Sequence, residues 1–222
     1  MKKISIDFHG DSALILSFGE IIDEKLNIEV HRCTDFLNSK ILNYSYIIDI
    51  YPTYNSIVID YDPQKIFYED IKKEIEILLS EIDISNDEII TPKIINIPVK
   101  YGGDHGPDLK IMSQSLNISE DEIIKIHSSK NYRVYMLGFM PGFPYLGGLD
   151  KKISFPRLNK PRLSVPSGSV GIAGDQTGVY PFKSPGGWNI IGKTKLKLFD
   201  KSNDPPNLIS TGSYIKFTID ND

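Results

Sequence analysis

The side chains best placed to do chemistry in this sequence are mostly uncharged. Ser167, Ser169, Gln176, Thr177, Ser184 and Trp188 lie between glycines and prolines within the stretch from Tyr135 to Trp188. Hydroxyls, an amide and an aromatic wall suit a small polar ligand that is not a phosphate. The same groups could instead satisfy the backbone of tight turns. No G-x-S-x-G segment is present, so a serine-hydrolase triad has no support.

The charged candidates are fewer. Gly187-Trp188-Asn189-Ile190-Ile191-Gly192-Lys193-Thr194 formally matches the phosphate-cradling pattern G-x-x-x-x-G-K-[ST]. That loop must follow a strand and open a helix. Here Pro185-Gly186 precedes it, and Lys195-Leu196-Lys197-Leu198-Phe199 follows with the period of a strand. Lys193 is therefore read as an anion contact at most. Gly168-Ser169-Val170-Gly171-Ile172-Ala173-Gly174 lacks the G-x-G start of a dinucleotide site and reads as a packed barrel corner. His105 lies in a glycine-rich loop and reads as structural or solvated. His127, near a helix end, is the candidate general acid or base. No His or Cys spacing suggests a metal site.

These groups need elements to hold them. Ile4–Phe8 and Ala13–Phe18 flank the turn His9-Gly10-Asp11-Ser12 and predict a hairpin. Ile22, Leu26, Val30, Cys33 and Leu37 form one helical stripe. Tyr46–Tyr51 and Ser56–Tyr61 predict two strands. Asp62-Pro63 reads as a helix N-cap with proline at the first position, and that helix carries Phe67, Ile71, Ile75, Leu78 and Ile82. Lys93–Val99 predicts a strand. Without the first strand the order is βαββαβ, a ferredoxin-like sandwich. The expected boundary is the polar run Ser85-Asn86-Asp87-Glu88. A short helix through Met112 and Leu116 follows, then one opened by the capping box Ser119/Glu122. From Arg133 on, short strands are expected at 133–140, 170–173, 179–182, 189–191, 195–199 and 214–219, forming a closed or nearly closed barrel. The predicted fold class is α+β: domain 1–90 ferredoxin-like, domain 91–222 a β-barrel.

Bulk properties narrow the function. The chain has 222 residues and a net charge of −4. That argues against nucleic acid or an anionic membrane as main partner, and the paired helices before Arg133 lack a basic second helix for DNA. The single cysteine, Cys33, excludes an intramolecular disulfide and reads as a small buried residue. The start, MKKISIDFHGD, has no apolar run of a signal peptide, and no run is long enough to span a bilayer. A cytoplasmic location is expected.

YMLGFMPGFPYLGGLD, KPRLSVPSGSVGIAGDQTGVYP, SPGGWNIIGKT and LFD, with YGGDHGPDL upstream, together resemble the family variously called the B-type subunit of 5-oxoprolinase, sporulation-kinase inhibitor and allophanate hydrolase subunit 1. The motifs cover roughly residues 98–200. Lys193 stands where the family pattern is expected to carry arginine. The resemblance implies a small N-terminal α/β domain and a C-terminal cyclophilin-like β-barrel, similar to subdomains C and D of the carboxyltransferase domain of urea carboxylase. It implies work with a larger homologous subunit and a third 5-oxoprolinase component. Together they would open 5-oxo-L-proline to L-glutamate with ATP and Mg at the level of the complex. The chain alone is expected to be inactive and to bind no cofactor tightly.

A lactam is an unreactive amide, so ATP must activate it and donors must meet the developing anion. The loops Pro166–Ser169 and Ser184–Trp188 can supply such donors. The candidate ligand surface is then Phe139, Pro141, Phe143, Pro166, Ser167, Gly168, Ser169, Gln176, Thr177, Ser184, Pro185, Gly186, Gly187, Trp188 and Lys193. The alternative implied by the resemblance is an interaction protein that binds a sporulation histidine kinase through its barrel. Allophanate hydrolysis, carboxyl transfer and prolyl isomerisation rank lower. For carboxyl transfer, this chain has no internal Met-Lys pair that could accept biotin.

Overall fold

The computed structural model describes residues 4–82 and 93–220. It forms two compact units, Met1–Thr91 and Pro92–Asp222. The expected boundary run 85–88 lies outside the described residues. No helix among those residues is long and apolar enough to cross a membrane.

In the first unit, β1 (Ser5–Phe8), β2 (Ala13–Ser17), α1 (Glu24–Ile41), β3 (Ile47–Pro52), β4 (Ser56–Tyr61) and α2 (Tyr68–Glu81) follow in order. The sheet order is β1-β2-β4-β3, with every pair antiparallel. The helical stripe buries Leu26, Val30, Cys33 and Leu37 against Leu14, Leu16, Ile57 and Ile59 of the sheet. Burial raises the Cys33 thiol to about 12, which leaves it an inert core residue. Asp23 caps α1 by accepting from the Leu26 N–H at 3.0 Å.

Two expectations fail in this unit. Asp62 does not cap α2, which starts at Tyr68 after Phe67. The Asp62 carboxylate instead accepts from the Gln64 N–H at 3.0 Å, and its carbonyl accepts from Lys65 and Ile66. Those local bonds close a turn ahead of the helix. Nor does the sheet have the ferredoxin-like βαββαβ composition. Its first strand, set aside in that reading, is the edge strand, and the strand expected to complete it lies in the barrel of the second unit.

The second unit contains β5 (Ile94–Tyr101), α3 (Leu109–Leu116), α4 (Glu120–Ser129), β6 (Asn131–Leu137), β7 (Pro144–Gly147), β8 (Arg162–Val165), β9 (Ser169–Ala173), β10 (Gln176–Val179), β11 (Ser184–Gly186), β12 (Asn189–Lys193) and β13 (Tyr214–Ile219). A closed barrel runs β10-β7-β6-β13-β5-β12-β9, and β8 pairs β11 outside it. Only β13 and β5 are parallel. Ile97, Val99, Val134, Leu146, Val170, Ile172, Ile191, Ile215 and Phe217 fill the interior. Ser119 caps α4, its hydroxyl accepting from the Glu122 N–H at 3.1 Å.

The alternating run 195–199 is not a strand. Only Phe199 pairs, in an isolated bridge to Asn207. Closure leaves the barrel without a free edge for it to join, and Leu198 still packs into the core. Gly168, at φ +81, sits so close to the Thr194 carbonyl that an added Cβ would collide with it. Only glycine fits there.

Candidate functional site

A pocket of ≈ 160 Å³ opens in the second unit beside Phe139, Phe143, Tyr145, Arg157, Tyr180 and Trp188. Its aromatic wall is built around Phe143. That ring stands edge-on to Phe139, Tyr145, Tyr180 and Trp188, with centroids 5.6, 5.0, 5.1 and 5.4 Å away. Edge-to-face packing at such distances is the favoured aromatic geometry. The loop that delivers Phe143 is tight: the Gly138 N–H donates to Phe143 O and the Phe143 N–H to Met140 O, both at 3.1 Å. Phe139 within it has φ 67 and stays 61% exposed. A bulky residue at positive φ is a strained placement, and here it puts an aromatic ring at the pocket mouth.

Glycines set the opposite wall. A Cβ on Gly186 would lie 2.5 Å from the Tyr180 hydroxyl. A Cβ on Gly187 would lie 3.7 Å from both Nε and Nη2 of Arg157, so the guanidinium rests along this backbone. Arg157 is exposed, and among the described residues it forms no ion pair. Burial raises the Tyr145 and Tyr180 hydroxyls above their ordinary range, and the Arg157 charge pulls both back. The pocket thus joins apolar walls to one unneutralised cation, and Gln176 adds an amide to its lining.

A polar network holds the Trp188 segment. Asp108 accepts from the Ile190 N–H at 2.6 Å and from Arg162 Nη2 at 2.5 Å, and Arg162 Nη1 reaches the Trp188 carbonyl at 3.4 Å. The Asn189 amide donates to Pro156 O at 2.8 Å and Ile172 O at 3.2 Å. The Leu158 N–H donates to Gly187 O at 2.8 Å. Asp108, from the motif YGGDHGPDL, is therefore a positioning residue. Arg157 and Arg162 are the middle residues of two copies of Pro-Arg-Leu, at 156–158 and 161–163. One arginine is consumed by Asp108 and the other is left facing the pocket.

The predicted surface residues divide. Phe139, Phe143, Gln176, Gly186, Gly187 and Trp188 come together in this pocket. Ser167, Gly168 and Lys193 line a different cleft. Pro141, Pro166 and Pro185 are exposed and line neither. Ser184 donates to the adjacent Pro185 O at 3.1 Å. Ser169 and Thr177 are buried.

His127 is a correction. Its ring is fully buried and stacks on Phe217 at 4.5 Å. Nδ1 lies 2.8 Å from the Tyr101 hydroxyl and Nε2 lies 2.9 Å from the Thr177 hydroxyl. Thr177 donates its one hydroxyl proton to Gly171 O at 3.0 Å. It must therefore accept from Nε2–H, and Nδ1 accepts from Tyr101. Burial lowers the pKa of this satisfied, neutral imidazole to about 3. It is a core residue, not a general acid or base for a bound ligand. The Walker-like segment is β12, and no helix follows it.

Sequence reading missed Arg157, Tyr145, Tyr180 and the Asp108–Arg162 pair. The repeated Pro-Arg-Leu was the available signal for the arginines. Tyr145 lies in β7, where no strand was expected, and Tyr180 lies just past β10, which ends at Val179 instead of running over the expected 179–182. Among the described residues no group of three His, Cys, Asp or Glu side chains could hold a metal ion.

Comparison with known proteins adds the context. The family model described as carboxyltransferase domain, subdomain C and D, matches residues 4–209. The chain is 41% identical over 225 residues to a Bacillus subtilis protein named as the B-type subunit of 5-oxoprolinase, covering 97% of this chain and 92% of that one. It is 51% identical over 125 residues to a protein of the same name from Escherichia coli O157:H7, covering 56% of this chain and 57% of that one. Among solved structures, that of TTHA0988 matches with a TM-score of 0.81 at 30% identity, over 95% of this chain and 40% of that one.

Proposed function

This chain belongs to the carboxyltransferase domain, subdomain C and D, family, and on that premise we propose that it is the substrate-holding subunit of an ATP-dependent 5-oxoprolinase. The observation that carries this reading is the aromatic pocket with the free Arg157 guanidinium. 5-Oxo-L-proline is a five-membered lactam bearing one carboxylate. Arg157 offers that carboxylate a planar, two-pronged donor. Phe143, Tyr145 and Trp188 give the ring an apolar wall that excludes water. A guanidinium beside apolar surface is worth more than one in bulk water.

In this reading the cyclophilin-like barrel binds and orients. The larger homologous subunit and the third component complete the site, with ATP and Mg, and the chain alone is inactive. The net reaction breaks the lactam C–N bond. One water supplies hydroxyl to the carbonyl carbon and a proton to nitrogen, while a second water is consumed in forming ADP and phosphate from ATP. A cytoplasmic location goes with that ATP supply.

The test is co-expression of this chain with both expected components, followed by assay with and without 5-oxoproline. Lactam-dependent release of ADP and glutamate is the expected result. A stably assembled, folded complex that releases neither would overturn the reading, and binding to a histidine kinase would then be the property to measure.

A further inference from the structure

The second unit has another concavity, of ≈ 470 Å³, and its character is different. Lys100, Lys193, Lys195, Lys197 and His105 surround it, above the Ser167–Gly168 turn. Lys100 and Lys193 are direct partners across the antiparallel pair of β5 and β12, and both are half-buried. Like charges placed opposite each other on a sheet repel and destabilise it. Among the described residues no carboxylate relieves them: Lys100, Lys193 and Lys195 form no ion pair, and Lys197 alone has one, with Asp200 at 2.7 Å. This happens in a chain whose net charge is −4. An unrelieved cation pair in a concave, partly dry place is one that a bound anion would stabilise.

The donors define which anion. The Gly168 N–H is taken by Tyr180 O and the Thr194 N–H by Gly168 O. The Ser167 hydroxyl donates to Pro181 O at 2.7 Å. Recognition therefore falls to lysine ammonium groups, compact point charges on flexible stems. Such groups read charge density rather than planar shape. A single carboxylate would leave most of them unneutralised. We propose that this cleft binds an oligophosphate, the chemistry shared by the tail of a nucleoside triphosphate and by free pyrophosphate or tripolyphosphate. Lys193, although its segment mimics a phosphate-binding loop, acts here from the end of a strand and with its cross-strand neighbour. This inference concerns a different cleft from the aromatic pocket and does not depend on the oxoprolinase reading.

Binding is measured on the full chain alone, by calorimetry and thermal shift, with tripolyphosphate, ATP and adenosine as separate probes. Tripolyphosphate and ATP are expected to bind with similar affinity and adenosine not at all. Lys100→Gln and Lys193→Gln should each weaken binding about tenfold, which corresponds to about 1.4 kcal/mol. Salt at about 0.5 M should suppress binding by screening. Each glutamine variant should also match or exceed the wild-type melting temperature without anion, because the repulsion is gone, while losing most of the rise that tripolyphosphate gives the wild type. Affinity unchanged in both variants would overturn the proposal. So would the absence of saturable binding at low salt, or ATP binding without tripolyphosphate binding.

Discussion

Just before β12, Trp188 borders an aromatic pocket with one free guanidinium; at the end of β12, Lys193 faces Lys100 across a lysine-lined cleft. The two places are separated by about 16 Å of extended chain, so one small ligand does not fill both. They solve the problem of holding an anion in different ways. The pocket uses a single planar charge beside apolar walls, with its backbone pinned by Asp108, Arg162 and Asn189. The cleft uses several flexible charges and few fixed donors. The difference teaches that rigidity and charge number are alternatives. The pocket should be the more sensitive to geometry and the less sensitive to salt, and the cleft the reverse.

The largest effect that would sharpen this contrast is on stability. Trp188 is 7% exposed and packs on Phe143 and Tyr145. Trp188→Ala should therefore destabilise the second unit by about 3–5 kcal/mol, read by denaturant unfolding. Lys193→Gln should cost nothing comparable. Equal effects at Trp188 and Lys193 would break the contrast.

The next effect is smaller. Asp108→Asn weakens the Arg162 ion pair and a charged acceptor of the Ile190 N–H. Arg162 is 32% exposed, so solvent already screens part of that pair. A loss of about 1–3 kcal/mol is expected. In the assembled complex, kcat/KM for 5-oxoproline should fall together with stability, although Asp108 lines neither cleft. Unaltered kcat/KM would remove Asp108 from the positioning role.

The third effect is spread over pH and comes from a group in neither place. His127 is neutral in the fold with a pKa near 3, against about 6.5 unfolded. Folding below pH 6.5 must therefore release a proton. The stability contributed is fully present above that pH and falls by about 1.4 kcal/mol per pH unit toward pH 3. His127→Gln should flatten that part of the acid-unfolding profile. An unchanged slope would contradict the buried, neutral assignment.

Much of this architecture could be read from residue patterns because local rules dominated. The stripe through Leu26, Val30, Cys33 and Leu37, the Ser119 cap, and the alternation in β4 and β13 each carry their own signal. What failed depended on distant neighbours. Asp62-Pro63 has the chemistry of a helix start, yet its carboxylate is satisfied within a turn. The run 195–199 has a strand's alternation but no open edge to pair with. For the site, glycines and aromatics marked the right segment. They could not show that the loops Pro166–Ser169 and Ser184–Trp188 contribute to different clefts, nor that His127 points into the core. Arg157 was legible only as a repeat, because which of two Pro-Arg-Leu arginines is left unpaired is decided by Asp108, about fifty residues away (54 for its partner Arg162).

The most direct test is the steady-state kinetics of 5-oxoproline turnover by the assembled complex, comparing wild type with Arg157→Ala and Arg157→Lys. If Arg157 holds the substrate carboxylate, loss of a charge-assisted bond of about 1.5–3 kcal/mol should raise KM roughly 10- to 150-fold in the alanine variant. Lysine should restore only part of it, and added salt should raise the wild-type KM less than it weakens anion binding in the lysine cleft. Wild-type KM in the alanine variant, in a complex of unchanged stability, would contradict the account.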